Sequence, residues 1–151
     1  MDDPCVAFEL GRDGPNVILA GFDGSPTAWH AVAYAAGLAR RQGSRLLVVY
    51  VVSPSAMAAW APSAGALLEE SLVEGAEELR QELEAQRGWH ELDAEFRVER
   101  GDAFGGLCRV ATAERVDAVV VGASAQAGHR LVGSLAVRLV RAGRWPVTVV
   151  P

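Results

Sequence analysis

The chain is predicted to fold as one α/β domain built on a doubly wound, five-stranded parallel sheet. Three observations predict it. Apolar runs such as RLLVVYVV at Arg45 to Val52 and Val119-Val120-Val121 are short and continuous, which suits strands covered on both faces. Segments with apolar residues at helical spacing alternate with these runs, and that order places helices on both sides of a parallel sheet through right-handed crossovers. The 151 residues, half of them hydrophobic, supply one substantial core and no second domain.

Residues 1–15 are acidic and broken by proline and glycine, and read as a flexible tail before a domain at 16–151. Asn16 to Asp23 (NVILAGFD) is the first strand. Ser25-Pro26 marks a helix start, with Ser25 as N-cap and Pro26 at the first helical position. Ala28, Ala31, Val32, Ala35 and Ala39 make a small-residue face that lets this helix lie close on a sheet, and Gly43 ends it. After the second strand, Ser53 to Gly65 is a long loop with Met57 and Trp60 in its middle, a length that hints at a lid or partner contact. Leu68, Leu72, Ala76, Leu79 and Leu83 then define a helix whose other faces carry seven glutamates, read as a solvated surface.

Asp93 to Arg100 alternates. Ala94, Phe96 and Val98 lie on one face and Glu95, Arg97 and Glu99 on the other, which predicts an edge strand with one wet side. Asp102 is the expected N-cap of a helix bearing Leu107, Val110 and Ala111, with Cys108 as a core thiol. Val119 to Val121 follows as the fourth strand, ended by Gly122. Gly133-Ser134 opens the last helix, with Ser134 as its N-cap and Leu135, Leu139 and Val140 as its core face. Pro146 leads into a final strand, Val147 to Val150. If the chain reverses direction once after its third strand, strands one and four become neighbours, and a ligand would bind beyond their carboxyl ends.

Composition narrows the function. A net charge of -5 argues against nucleic acid as a partner. All 14 basic residues are arginine, so neither a P-loop lysine nor a Schiff-base lysine is available. No run reaches the length of a membrane span and the start lacks a signal peptide's pattern, so a cytoplasmic protein is expected. Cys5 and Cys108 form no disulfide framework, and His30, His90 and His129 lie at no metal-ligand spacing.

The strand ending in Asp23-Gly24-Ser25, Gly101-Asp102 after the third strand, Gly122 through Gly133-Ser134, and the closing Pro146-Val147-Thr148-Val149-Val150 together resemble the universal stress protein family. The resemblance implies strand order 3-2-1-4-5, the fold called adenine-nucleotide alpha hydrolase-like. It also implies a homodimer paired through Val147, Thr148, Val149 and Val150, and a regulatory role in a stress response, alone or with a protein partner, rather than catalysis. Some members bind ATP or a related nucleotide through a loop reading Gly, two residues, Gly, nine residues, Gly-Ser or Gly-Thr. By similarity, Asp23, with Gly24 and Ser25 beside it, and the backbone around Val51 would meet base and sugar. Gly122, Ser124 in the loop, Gly133 and Ser134 would meet ribose and phosphates.

The loop departs from that pattern twice. Ala125 stands at the second glycine position, and Gln126 to Val132 has seven residues instead of nine. Two missing residues remove roughly 7 Å of chain reach. Gly128 could take over the glycine's role, and Arg130 offers a cation in an acid-free stretch after Asp117. The expectation is a degraded pocket that binds ATP weakly or not at all. The alternative is a working sensor of ATP, AMP or a cyclic nucleotide. Two further rivals rest on single features. A flavin carrier would use Gly24-Ser25-Pro26-Thr27 as a phosphate loop with Trp29 or Trp60 stacking. A small esterase would use Ser124 in Gly122-Ala123-Ser124-Ala125-Gln126, an imperfect nucleophile elbow followed by His129 but by no acid.

Overall fold

The computed structural model describes residues 14–53, 65–124 and 133–151. Most of the expected tail, the Met57–Trp60 loop and the 125–132 segment lie outside them. Five strands, β1 (Val17–Phe22), β2 (Arg45–Val52), β3 (Ala94–Arg100), β4 (Ala118–Gly122) and β5 (Val147–Val150), form one parallel sheet in the order β3-β2-β1-β4-β5. Among the described residues four helices connect them: α1 (Pro26–Gln42), α2 (Gly65–Glu84), α3 (Ala103–Ala113) and α4 (Ser134–Ala142), with a short 3-10 turn at Trp89–Glu91. The single reversal expected between strands one and four is present, with Ile18, Leu19 and Ala20 opposite Ala118, Val119 and Val120.

The sheet separates two cores. Ile18, Ala20, Phe22, Leu46, Val48 and Val120 pack against α1 and α2, where Leu83 and Trp89 close the layer. Leu19, Leu47, Val49, Val119 and Val121 pack against α3 and α4, through Leu107, Val110, Ala111, Ala136 and Leu139. The alanine face of α1 is buried as its spacing implied: Ala28, Ala31, Ala35 and Ala39 all lie against strands. Ser25 caps α1 by accepting from the Ala28 N–H at 3.2 Å, and Gly43 ends it in the left-handed conformation (φ 67°). Asp102 caps α3 through the Gly105 N–H at 3.0 Å.

Four expectations are corrected. Val140 is 57% exposed, and Ala136 takes its place under α4. Ser134 is the first helical residue of α4 rather than its cap; Gly133 occupies the cap position and supplies no side-chain bond. Cys108 is half-buried at the margin of its core rather than within it, where burial pushes the thiol up. Strand β3 is an edge strand as expected, and Ala94 and Phe96 face the α1–α2 core, but the third residue of that face does not join them. Val98 is 45% exposed.

The wet side of β3 carries a four-membered ion-pair cluster whose side chains stay partly exposed. Arg45 reaches Glu95 at 2.5 Å and Glu114 at 2.9 Å, and Arg97 reaches the same two carboxylates at 2.7 Å each. The guanidinium of Arg97, then that of Arg45, holds both carboxyls below their ordinary value. The cluster joins β2, β3 and the end of α3, and a network of this kind fixes geometry better than an isolated surface pair. At the same end of the sheet, the Asp117 carboxylate accepts from the Asn16 and Val17 N–H groups at 2.9 Å each, which pins the start of β1 beside β4.

Candidate functional site

The site forms where β1 and β4 diverge. At the end of β1, the Asp23 carboxylate accepts from the Ser25 N–H at 2.9 Å and braces the turn into α1. Gly24 makes that turn with φ 79°, a conformation a side chain would strain, and sits over Leu79. Thr27 then reaches across: its Oγ1 donates to the Ala123 carbonyl at 2.7 Å, tying the start of α1 to the end of β4. In turn the Ala123 N–H donates to the Val150 carbonyl at 2.7 Å, so the β4 end is bonded to both neighbours.

Gly122 has a steric reason to be glycine. A Cβ there would lie 2.6 Å from the Thr27 carbonyl carbon and 2.8 Å from the Ala28 nitrogen, inside the backbone of α1. A Cβ on Gly133 would lie 2.8 Å from that of Ser124, so this glycine lets the start of α4 close against the end of β4. On the opposite wall, a Cβ on Gly106 would meet Val51 Cγ2 at 2.9 Å, and α3 therefore lies tightly on the end of β2.

These approaches leave a cleft of about 310 Å³ at the carboxyl ends of β1, β2 and β4. Its size is at the lower end for small-molecule sites. Of the expected residues, Asp23, Ser25, Val51, Gly122, Ser124, Gly133 and Ser134 line it together. Gly24 does not; it shapes the turn beneath. Ala125, Gly128 and Arg130 lie outside the described residues. Thr27, Ala103, Leu107 and Leu135 also line it. Thr27 was legible only as part of a phosphate loop, and the α3 wall carried no local signal because it forms through packing.

Chemically, the cleft offers one carboxylate, several hydroxyls and an apolar wall of Val49, Val51, Leu107 and Val121. Among the described lining residues Asp23 is the only charged one. A flat heterocycle fits the wall, with Asp23 accepting from amino or hydroxyl groups. Backbone N–H groups at the start of α4 suit an anion, whereas in α1 Pro26 has none and Ser25 takes that of Ala28. Among the described residues no histidine lines the cleft beside Ser124, and no group of histidine, cysteine, aspartate and glutamate could hold a metal ion. Trp29 packs edge-on against Phe22, with ring centroids 4.9 Å apart. His30 bonds the Pro151 carbonyl at 3.0 Å. Among the described residues no helix is long and apolar enough to cross a membrane.

A parallel sheet with a cleft at its reversal point, edged by a carboxylate and two helix starts, is the doubly wound α/β architecture. The model of the universal stress protein family matches residues 15–151, and the chain belongs to that family. It is similar to a solved protein of that family from Burkholderia pseudomallei, at 28% identity over 90% of this chain and 96% of that one, with a TM-score of 0.71. The universal stress protein UspA from Lactobacillus plantarum matches at 24% identity over 90% and 97%, with a TM-score of 0.74. A universal stress protein from Archaeoglobus fulgidus, described as in complex with dAMP, shares the fold at 18% identity over 89% and 96%, with a TM-score of 0.56. No curated protein matches the chain.

Proposed function

We propose that this protein is a non-catalytic, dimeric regulatory module of a stress response whose cleft holds an adenine nucleotide only weakly. One observation carries the reading: Asp23, Val51, Gly122, Gly133 and Ser134, which come from four separate stretches, converge on a single cleft. In this reading the base lies on the Val49–Val51 wall, and the sugar hydroxyls donate to Asp23. The phosphates face the start of α4, where a loop two residues short and Ala125 in place of glycine reduce the backbone donors within reach. The dAMP complex of the Archaeoglobus relative supports an adenine nucleotide as the ligand class.

Calorimetric titration with ATP tests it. Saturable heat with a dissociation constant on the order of 1 mM, about -4 kcal/mol, is expected. Asp23→Ala should remove most of it. Micromolar affinity would overturn the weak-binding reading in favour of a working nucleotide sensor. The start of α4 favours that second reading, since among the described residues no side chain caps it and its first N–H groups suit phosphate.

The dimer has a structural motive. Strand β5 is at the sheet edge, and its inward bonds run through alternate residues: the Pro146 and Val150 carbonyls accept from β4. In a parallel ladder this alternation turns the Val147 and Val149 N–H groups outward. Pairing with β5 of a second copy would cover them. Val149→Pro removes one outward donor and leaves the inner ladder intact, so it should give a folded monomer in sedimentation. A Val149→Pro variant that still sediments as a dimer would place the interface elsewhere.

A further inference from the structure

Two helices on opposite faces of the sheet carry complementary outer surfaces. In α4, Ala136 and Leu139 face the sheet, so at 3.6 residues per turn Arg141 points away from it with Arg138 alongside. Arg144 follows just beyond the helix end, and Val140 on its flank is 57% exposed. Arg138 is engaged, 4.3 Å over the Phe104 ring and 3.7 Å from Asp102. Among the described residues no carboxylate pairs with Arg141 or Arg144.

In α2, Ala76 and Leu83 face the sheet. The outer face repeats Glu70, Glu74 and Glu78 at four-residue intervals, with Leu67 at its head 73% exposed and Val73 beside it 57% exposed. Like charges at this spacing oppose each other by a few tenths of a kcal/mol per pair. Arg80, the one cation of this helix, is taken by Glu77 at 2.5 Å and Glu84 at 2.8 Å on the flank. The sheet stands between α2 and α4, so neither face can satisfy the other within one molecule.

We infer that the arginine face of α4 docks on the glutamate face of α2 in a second copy of this chain. Charge complementarity selects that occupant, and Val140 meeting Leu67 or Val73 adds apolar contact at the margin. Because the two faces lie on opposite sides of the domain, the contact is head-to-tail and repeats from copy to copy, unlike an edge pairing of β5. One helix laid across another buries less than the roughly 1,200 Å² of a stable interface, so the association is weak and dominated by charge. This inference does not depend on nucleotide binding.

Sedimentation velocity of the full chain carrying Val149→Pro, which removes the edge pairing of β5, tests it over a range of concentrations. The association constant should fall about tenfold or more as salt rises from roughly 0.05 to 0.5 M, where the screening length shortens to about 4 Å. Arg141→Glu and Glu74→Arg should each weaken association about tenfold, and the two together in one chain should recover much of it, because the swapped charges again meet their opposites. Both sites are exposed, and unchanged thermal melts would confirm intact folds. Association that ignores salt, or single reversals without effect, or a double variant no better than either single, would overturn the docking.

Discussion

Replacing Gly122 with alanine is expected to destabilise the protein by about 3 kcal/mol, a fall of roughly 6–12 °C in melting temperature for a chain of this size. The added methyl would stand 2.6 Å from the Thr27 carbonyl carbon, 2.7 Å from its oxygen and 2.8 Å from the Ala28 nitrogen. These are backbone atoms of the first turn of α1, so no side chain can rotate to make room. The helix start must move off the sheet, and two bonds move with it: Ser25 Oγ to the Ala28 N–H, and Thr27 Oγ1 to the Ala123 carbonyl. Ala28, packed at the same contact, also loses its seat in the core. Thermal melts of Gly122→Ala and Gly106→Ala separate backbone from side-chain conflict. At Gly106 the new methyl meets the ends of the Val51 side chain, at 2.9 Å from Cγ2, and that neighbour can shift. Gly122→Ala should therefore be the more damaging of the two. A melting temperature within 2 °C of the parent for Gly122→Ala would show that α1 approaches β4 less closely than described.

Gly122 also marks the boundary of what the sequence disclosed. Helix starts and stops were legible because their chemistry is local: Ser25 caps a nitrogen three residues on, and Gly43 turns the chain where it stands. Strand order followed from alternation plus one reversal, together with the family resemblance. The reason for Gly122 was not legible, because the atoms it makes room for belong to Thr27 and Ala28, which reach β4 across a sequence separation of 96 in the Thr27–Ala123 bond. The cluster on β3 was hidden for the same reason. Alternation marks Glu95 and Arg97 as one solvent-facing side, but not that Arg45 and Glu114, 69 residues apart, meet there and tie them into one network. In α4 the periodicity admitted both Val140 and Ala136, and a nine-residue helix is too short for the pattern to choose. At the cleft, the residues on strand ends were legible as a set, whereas the α3 wall of Ala103 and Leu107 was not.

Leu139→Ala should cost a comparable amount, about 3 kcal/mol, and should act on the site as well as on stability. Helix α4 is nine residues long, and among them only Ala136 and Leu139 are fully buried. Leu139 is 0% exposed in the cluster with Val119, Val121 and Leu107, so its truncation opens a cavity that a rigid sheet cannot close. An isolated helix of this length has no stability of its own in water. Its residence on the sheet therefore depends most on the one large, fully buried side chain that is lost, with half-buried Leu135 beside it. Gly133 and Ser134 at its start form one wall of the cleft, and a loosened α4 would misplace the N–H groups facing a phosphate. Hydrogen exchange should show the amides of α4 losing protection ahead of those in β1 and β2, and ATP heat should fall with them. Leu139→Met keeps the volume and should restore both within about 1.5 kcal/mol of the parent. Loss of global stability with α4 exchange unchanged would mean that β5 and the α3 contacts hold the helix without Leu139, and the cleft wall would then have a different anchor.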